Sequence, residues 1–177
     1  MLAALRELGV ERLVLLTGDN RGTAEAVSRA VRIDEVRSEL LPGDKVTAMR
    51  ELVQQYGSVA MVGDGVNDAP AMETATLGIA MGAAGSDAAI ETADVALMSD
   101  DLSKLPWLIT HSRRTLAILR QNIGFSLLVK LVFMTLAFTG RATLWSAIAA
   151  DMGASLLVIA NALRLLREHP AGAASGR

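Results

Sequence analysis

The hydrophobic pattern divides the chain into two parts. As far as residue 121, short apolar runs alternate with charge and glycine; from 122 to 163 the apolar positions are nearly continuous, broken by charge only at Lys130, Arg141 and Asp151. In the first part MLAALRELGVE is apolar at helical spacing, with Gly9 as its terminator. Leu13 to Leu16 form a buried strand that runs into the polar turn TGDN, and RGTAEAVSRAV follows as a helix. VRSELLPGDK reads as a short strand region and a turn. GDKVTAMRELVQQYG reads as an amphipathic helix with Val46, Met49, Leu52 and Val53 on one face. Val59 to Val62 form a second buried strand, ending in a glycine–aspartate loop. LGIAMG and ADVALM are two further strands, with the helix SDAAIETA between them. Alternating strands and helices predict a doubly wound, Rossmann-like parallel sheet whose site lies at the carboxyl ends of its strands. Asp19 and Asp64 both fall at such ends.

The second part begins with DLSKLPWLITHSRRTLAILRQ, a long helical stretch. Asp101 or Ser103 can cap it, and Pro106 is tolerated only near its start. It runs into Asn122–Thr139, 18 residues, about 27 Å at the helical rise and just long enough to span a bilayer. TGRAT is a turn, and LWSAIAADMGASLLVIANAL is a second span. The expected divisions are therefore 1–101, an α/β half; 102–121, a connecting helix; 122–167, a transmembrane helical hairpin; and 168–177, a disordered tail of small residues. Arg113, Arg114 and Arg120 precede the hairpin, Arg164 and Arg167 follow it, and only Arg141 lies in the turn. That bias places the α/β half and both termini in the cytoplasm, with the hairpin in the cell (inner) membrane. Trp107 and Trp145 suit the membrane interfaces.

Composition narrows the picture. Hydrophobic residues make up 51% of the 177, and the net charge is −2, which gives no footprint for nucleic acid. With no cysteine there is neither a disulfide framework nor a thiolate metal site in the chain. The first twenty residues read as a helix and a strand, not as a secretory signal. His111 lies beside Arg113 and Arg114 and suits a solvated face better than a metal site. The methionines follow apolar patterns and suit packing better than copper binding.

MVGDGVNDAPAM carries the most chemistry. Asp64 and Asp68 lie four apart just after a buried strand, and Gly63 and Gly65 let the backbone turn and a phosphate approach. Two carboxylates would repel a phosphate unless Mg2+ lay between, and that ion takes one or two carboxylates plus phosphate oxygens. Thr17 and Gly18 offer a hydroxyl and an amide to phosphate oxygens, and Lys45 offers a positive charge. Any one glycine–aspartate turn is common on protein surfaces; TGD, a lysine and GDGxxD in this order on a parallel-sheet pattern are not.

Thr17-Gly18-Asp19, Lys45 and Gly63-Asp64-Gly65-Val66-Asn67-Asp68-Ala69-Pro70 resemble the second half of the phosphorylation domain of P-type ATPases, a branch of the haloacid dehalogenase superfamily. The resemblance covers nearly all of residues 1–101. It implies the C-terminal half of a haloacid dehalogenase-type domain. Asp64 would bind Mg2+, Asn67 and Asp68 would hold the catalytic loop, and Thr17, Gly18 and Lys45 would contact an aspartyl phosphate. The family's Asp-Lys-Thr-Gly nucleophile motif, its Thr-Gly-Glu actuator loop and its nucleotide-binding domain have no counterpart here. His169-Pro170 resembles a nucleotide-domain pair only superficially. The expectation is a C-terminal portion of a pump, with ATP handled by segments outside this chain and the actuator, nucleotide-binding and other transmembrane segments as its partners.

Counting from the turn, Lys130 lies ten residues before Gly140 and Asp151 ten after Arg141. Both are then about 15 Å from the turn, at matching mid-bilayer depth. A lone charge there costs roughly 2.5–3.5 kcal/mol on the mildest scale, so opposite charges are expected to answer one another, as a structural salt bridge or as part of a transport site. Small residues around Asp151 favour close helix approach. NIGFSLLVK and DMGASLLVIANALRLL resemble the last two spans of the zinc, cadmium and lead branch of the heavy-metal P-type ATPases; the Tyr-Asn and Met-Ser-Ser patterns of the copper branch are absent. The resemblance implies that Asp151 is a ligand for transported Zn2+, Cd2+ or Pb2+, with Lys130 as its counter-charge. The family's Cys-Pro-Cys ligands belong to an earlier span. Rival readings are a membrane-tethered haloacid dehalogenase-like phosphohydrolase and a non-catalytic pump subunit. In this chain by itself the pair is expected to persist as a salt bridge.

Overall fold

The computed structural model describes residues 1–64, 67–82 and 87–167. The chain separates into two compact units, Met1–Ser103 and the segment from Lys104 onward. The tail 168–177, with His169-Pro170, and Gly65 and Val66 of the glycine–aspartate loop lie outside the described residues.

The first unit opens with α1 (Leu2–Glu7), which Gly9 ends at φ +87, a backbone region that glycine enters without steric cost. Strand β1 (Val14–Leu16) leads through the TGDN turn into α2 (Arg21–Val31). The Asn20 side chain caps α2 by accepting from the Thr23 amide at 2.9 Å. After β2 (Glu35–Arg37) comes α3 (Pro42–Tyr56). The turn expected at LLPGDK is shorter than read, because Pro42 opens the helix. Proline suits a first helical position, where its missing N–H would have no partner. Asp44 Oδ2 accepts from the Leu41 amide at 3.0 Å and closes that end. Then follow β3 (Ala60–Gly63), α4 (Ala69–Thr74), β4 (Leu77–Ala80), α5 (Asp87–Thr92) and β5 (Val95–Ala96).

Among the described residues all pairings are parallel, as the α/β pattern requires, but they form two sheets. One joins β1 to β2, with Leu15 opposite Val36; the other has the order β3-β4-β5, with Met61 opposite Gly78 and Ile79 opposite Val95. Among the described residues no ladder joins β1 to β3. The core lies under the second sheet. Met49, Met61, Ala71, Met72 and Ala80 are buried together, and Leu16 at the end of β1 packs against them. Apolar burial of this kind stabilises by about 25 cal/mol per Å2 removed from water.

The same tie recurs in both sheets. An aspartate just ahead of a strand accepts from an amide at or just ahead of the start of the neighbouring strand: Asp34 Oδ2 from Leu13 N and Asp94 Oδ2 from Gly78 N, each at 2.8 Å. The Leu13 amide, and next the Arg6 guanidinium, hold the Asp34 carboxyl below its ordinary range. Its contribution to stability is thus present above the ordinary carboxylate pKa and is lost as pH falls through the depressed one.

In the second unit α6 (Lys104–Phe138) is one 35-residue helix, so the connecting helix and the first span are continuous. Gly140, at φ +70, turns the chain, and α7 (Leu144–Ala162) returns, followed by a 3-10 turn, Leu163–Arg167. Thr143 caps α7, its Oγ1 accepting from the Ser146 amide at 3.2 Å. Both helices are long and apolar enough to cross a membrane, and their apolar faces are open. Leu127, Leu128, Leu131, Leu156 and Leu157 are each at least 59% exposed, as lipid-facing side chains require.

Candidate functional site

Two sets of candidate residues lie in two different units. In the first unit Thr17, Gly18 and Asp19 follow the carboxyl end of β1, Asp64, Asn67 and Asp68 follow that of β3, and Lys45 lies in the first turn of α3. Thr17 Oγ1 donates to Asp19 Oδ2 at 3.0 Å and accepts from the Asp19 amide at 3.1 Å, which folds the TGD turn on itself. Leu40 N donates to Thr17 O at 3.1 Å and Glu39 N to Asp19 O at 2.9 Å. A Cβ on Gly18 would stand 3.2 Å from Leu40 O, so the close approach of these loops depends on glycine. Leu40 leads directly into α3, whose first turn carries Lys45.

Lys45 Nζ donates to Asp68 Oδ1 at 2.6 Å, and both side chains are less than 20% exposed. This joins the start of α3 to the loop after β3. Asp64 is exposed at the end of β3, and its Oδ1 accepts from the Asn67 amide at 3.3 Å. Gly63 makes the pairing possible. A Cβ there would come within 2.9 Å of Asp68 Oδ2 and 3.0 Å of Asp68 Cβ. A Gly63→Ala variant is therefore expected to displace Asp68 from Lys45 and to destabilise the unit by about 1–3 kcal/mol. Urea unfolding of the variant beside the parent measures this.

The Thr17 hydroxyl, the turn amides and the Lys45 ammonium are groups of the kind that bind anion oxygens. A Mg2+ ion fits the donor set. Asp64 is a hard, exposed oxygen ligand, and such ions take one or two carboxylates with the remaining positions filled by phosphate and water. No group of three or more His, Cys, Asp or Glu able to hold a metal exists among the described residues, so any metal site here is shared with a ligand or another segment.

In the second unit Lys130 on α6 and Asp151 on α7 line the same open groove, of about 270 Å3, with Val129, Phe133, Ala147 and Ala150. The matched depth thus brings both charges to one groove. The salt bridge expected of the isolated chain is not formed: no oxygen of Asp151 lies within 4.0 Å of the ammonium. Residue counting fixes depth along a helix but not the angle at which a side chain leaves it, and both heads here border the groove without closing on each other. Trp107 stacks on His111 along α6, with ring centroids 4.9 Å apart, and Trp145 is 79% exposed at the start of α7.

The sequence reading passed over one polar pair. Asn161 Nδ2 donates to Asn122 Oδ1 at 2.8 Å, Asn122 Nδ2 donates to Val158 O at 3.4 Å, and Arg164 donates to Asn161 Oδ1 at 3.1 Å. Its signal was present, two amides within otherwise apolar spans, but uncharged side chains do not stand out in a count of charges.

Comparison with known proteins agrees with this architecture. The haloacid dehalogenase-like hydrolase family model matches residues 1–76. A "Probable cadmium-transporting ATPase" of Listeria monocytogenes is 55% identical over 94% of this chain and 24% of its own length. The "Zinc/cadmium/lead-transporting P-type ATPase" of Escherichia coli K12 is 49% identical over 95% of this chain and 22% of its own. A crystal structure of a zinc-transporting PIB-type ATPase matches with a TM-score of 0.82 at 48% identity, covering 94% of this chain and 27% of that one. The chain spans about a quarter of the length of the relatives it matches. With about half of its residues shared across both units, this chain belongs to the family of the heavy-metal-transporting P-type ATPases.

Proposed function

We propose that this chain supplies phosphate-binding loops and two membrane helices to an ATP-driven exporter of divalent heavy-metal ions such as zinc, cadmium or lead. The observation that carries the reading is the tie between Lys45 and Asp68, which gathers the charged residues of α3 and of the loop after β3 at one end of the parallel strands. ATP binding and the phosphorylated aspartate lie in segments outside residues 1–177. Thr17 Oγ1, the Gly18 amide and the Lys45 ammonium hold the oxygens of the aspartyl phosphate. Asp68 orients Lys45, and the Asn67 amide holds Asp64. When bound, Mg2+ on Asp64 neutralises charge on the transferring phosphoryl group.

The partners of the chain are the lipid bilayer and the remainder of the pump. The separate ladders of β1 and β3 fit such a partner, because a strand edge presents unpaired amides and carbonyls that a further parallel strand can meet. Asp151 provides one carboxylate to the transported ion. Zinc ordinarily takes four ligands, so the other ligands come from other spans. Lys130, on the same groove, neutralises Asp151 when the ion has left. The arginine bias supports a cytoplasmic side for the first unit and both termini.

The rival is a self-contained phosphohydrolase with its nucleophile among Asp19, Asp64 and Asp68. Beryllium fluoride, an acyl phosphate mimic, separates the two. The purified 177-residue chain with Mg2+ is expected not to retain it, whereas one equivalent bound per chain would favour the hydrolase.

A further inference from the structure

The two hairpin helices are held together at one end by the Gly140 turn. At the other end the contact between them is polar. We propose that Asn122 and Asn161 are a clamp that closes the open end of the hairpin and fixes the rotational setting in which Lys130 and Asp151 share one groove. They are positioning residues: neither lines that groove.

On α7 the face toward the groove is built of Ala147 and Ala150, and one turn further on Ala154 is buried. Alanines at three- and four-residue spacing form a smooth surface that packs closely but specifies no single register or rotation. The short turn limits sliding. It does not prevent the far ends, 16 residues up α6 from Phe138, from rolling or splaying. A polar pair does, because an amide in an apolar setting is satisfied only when its partner stands opposite. Here each amide serves twice. Asn122 accepts from Asn161 and donates to the Val158 carbonyl; Asn161 donates to Asn122 and accepts from Arg164.

The spacing connects the clamp to the groove. Lys130 lies eight residues along α6 from Asn122, and Asp151 lies ten back along α7 from Asn161. At the helical rise these are about 12 and 15 Å, so a clamp with its two members opposed delivers the two charges to nearly one depth. The Arg164 contact ties it to the 3-10 turn that follows α7. The bearing of the clamp on ion transport rests on the function proposed above; the clamp itself does not.

Cysteine cross-linking in lipid vesicles tests it directly, since the chain contains no cysteine. Two reporter pairs line the groove: Val129→Cys with Ala150→Cys, at the level of Lys130 and Asp151, and Ala137→Cys with Ala147→Cys, nearer the turn. Asn122→Ala and Asn161→Ala are each expected to slow disulfide formation in the first pair by about tenfold and to leave the second unchanged. Asn122→Asp retains an oxygen that accepts from Asn161 and is expected to restore the parental rate. Parental rates in both alanine variants would overturn the clamp, and so would equal slowing of both pairs, which marks general loosening. No metal enters this readout, so its failure removes the clamp and leaves the assignment of the ion path standing.

Discussion

In a complete pump containing this chain, Asp151→Ala is expected to reduce zinc- or cadmium-stimulated ATP hydrolysis to the level seen without metal. Asp151 is the only acidic side chain from residue 122 to 163, and it stands on a groove wide enough for an ion. Alanine there removes the one carboxylate the hairpin offers and leaves Lys130 as an unanswered cation within the membrane. An isolated charge at that depth costs roughly 2.5–3.5 kcal/mol. Lys130→Ala is expected to give the same loss of stimulation by the opposite route: the ion can be bound, but Asp151 has no cation to take its place on release. The two variants should differ in metal binding, with Lys130→Ala retaining it and Asp151→Ala losing it. Equilibrium dialysis with cadmium measures that difference. Normal zinc stimulation in both variants would remove Asp151 and Lys130 from the transport path.

The second large effect is expected at Lys45. Lys45→Ala removes the ammonium from the phosphate site and leaves the largely buried Asp68 carboxylate without its partner at 2.6 Å. Loss of one preorganised group of this kind typically costs about 10²–10³ in turnover. Steady-state ATPase of the complete protein under saturating metal should fall by about that factor. Lys45→Arg should recover little, because a planar guanidinium does not reproduce a compact ammonium against both Asp68 and a phosphate. If the role of Lys45 were confined to holding the fold, a variant with unchanged urea midpoint would keep its activity. The proposed role requires activity to fall even where the midpoint holds.

How much of this could be read from residues alone depends on the range of the interaction. Helix α2 was legible to its ends because its determinants are local: an asparagine cap, helical spacing and a turn on each side. The start of α3 was read one residue late, because the pattern PGD carries both a turn and a helix-opening reading. The parallel α/β order was legible; its division into two sheets was not, since whether β1 meets β3 depends on contacts between segments distant in sequence. In the phosphate site the residue types were visible and their pairing was not. No spacing rule places Lys45 against Asp68, 23 positions away; the glycine at 63 that admits the contact becomes meaningful only with the carboxylate in view. In the hairpin, depth was countable and the shared groove followed from it. The distance between the two heads was not countable, because it depends on how each helix is rotated. The Asn122–Asn161 pair has that rotation as its consequence, and it was missed because amides carry no charge.

The central claim is that this chain stabilises a phosphoryl group carried by an aspartate that lies elsewhere in the pump. The most direct measurement is to phosphorylate the complete protein with labelled ATP in the presence of zinc or cadmium, quench in acid and map the acyl phosphate by peptide sequencing. The account predicts a metal-dependent label on an aspartate outside residues 1–177. A label on Asp19, Asp64 or Asp68 would contradict it.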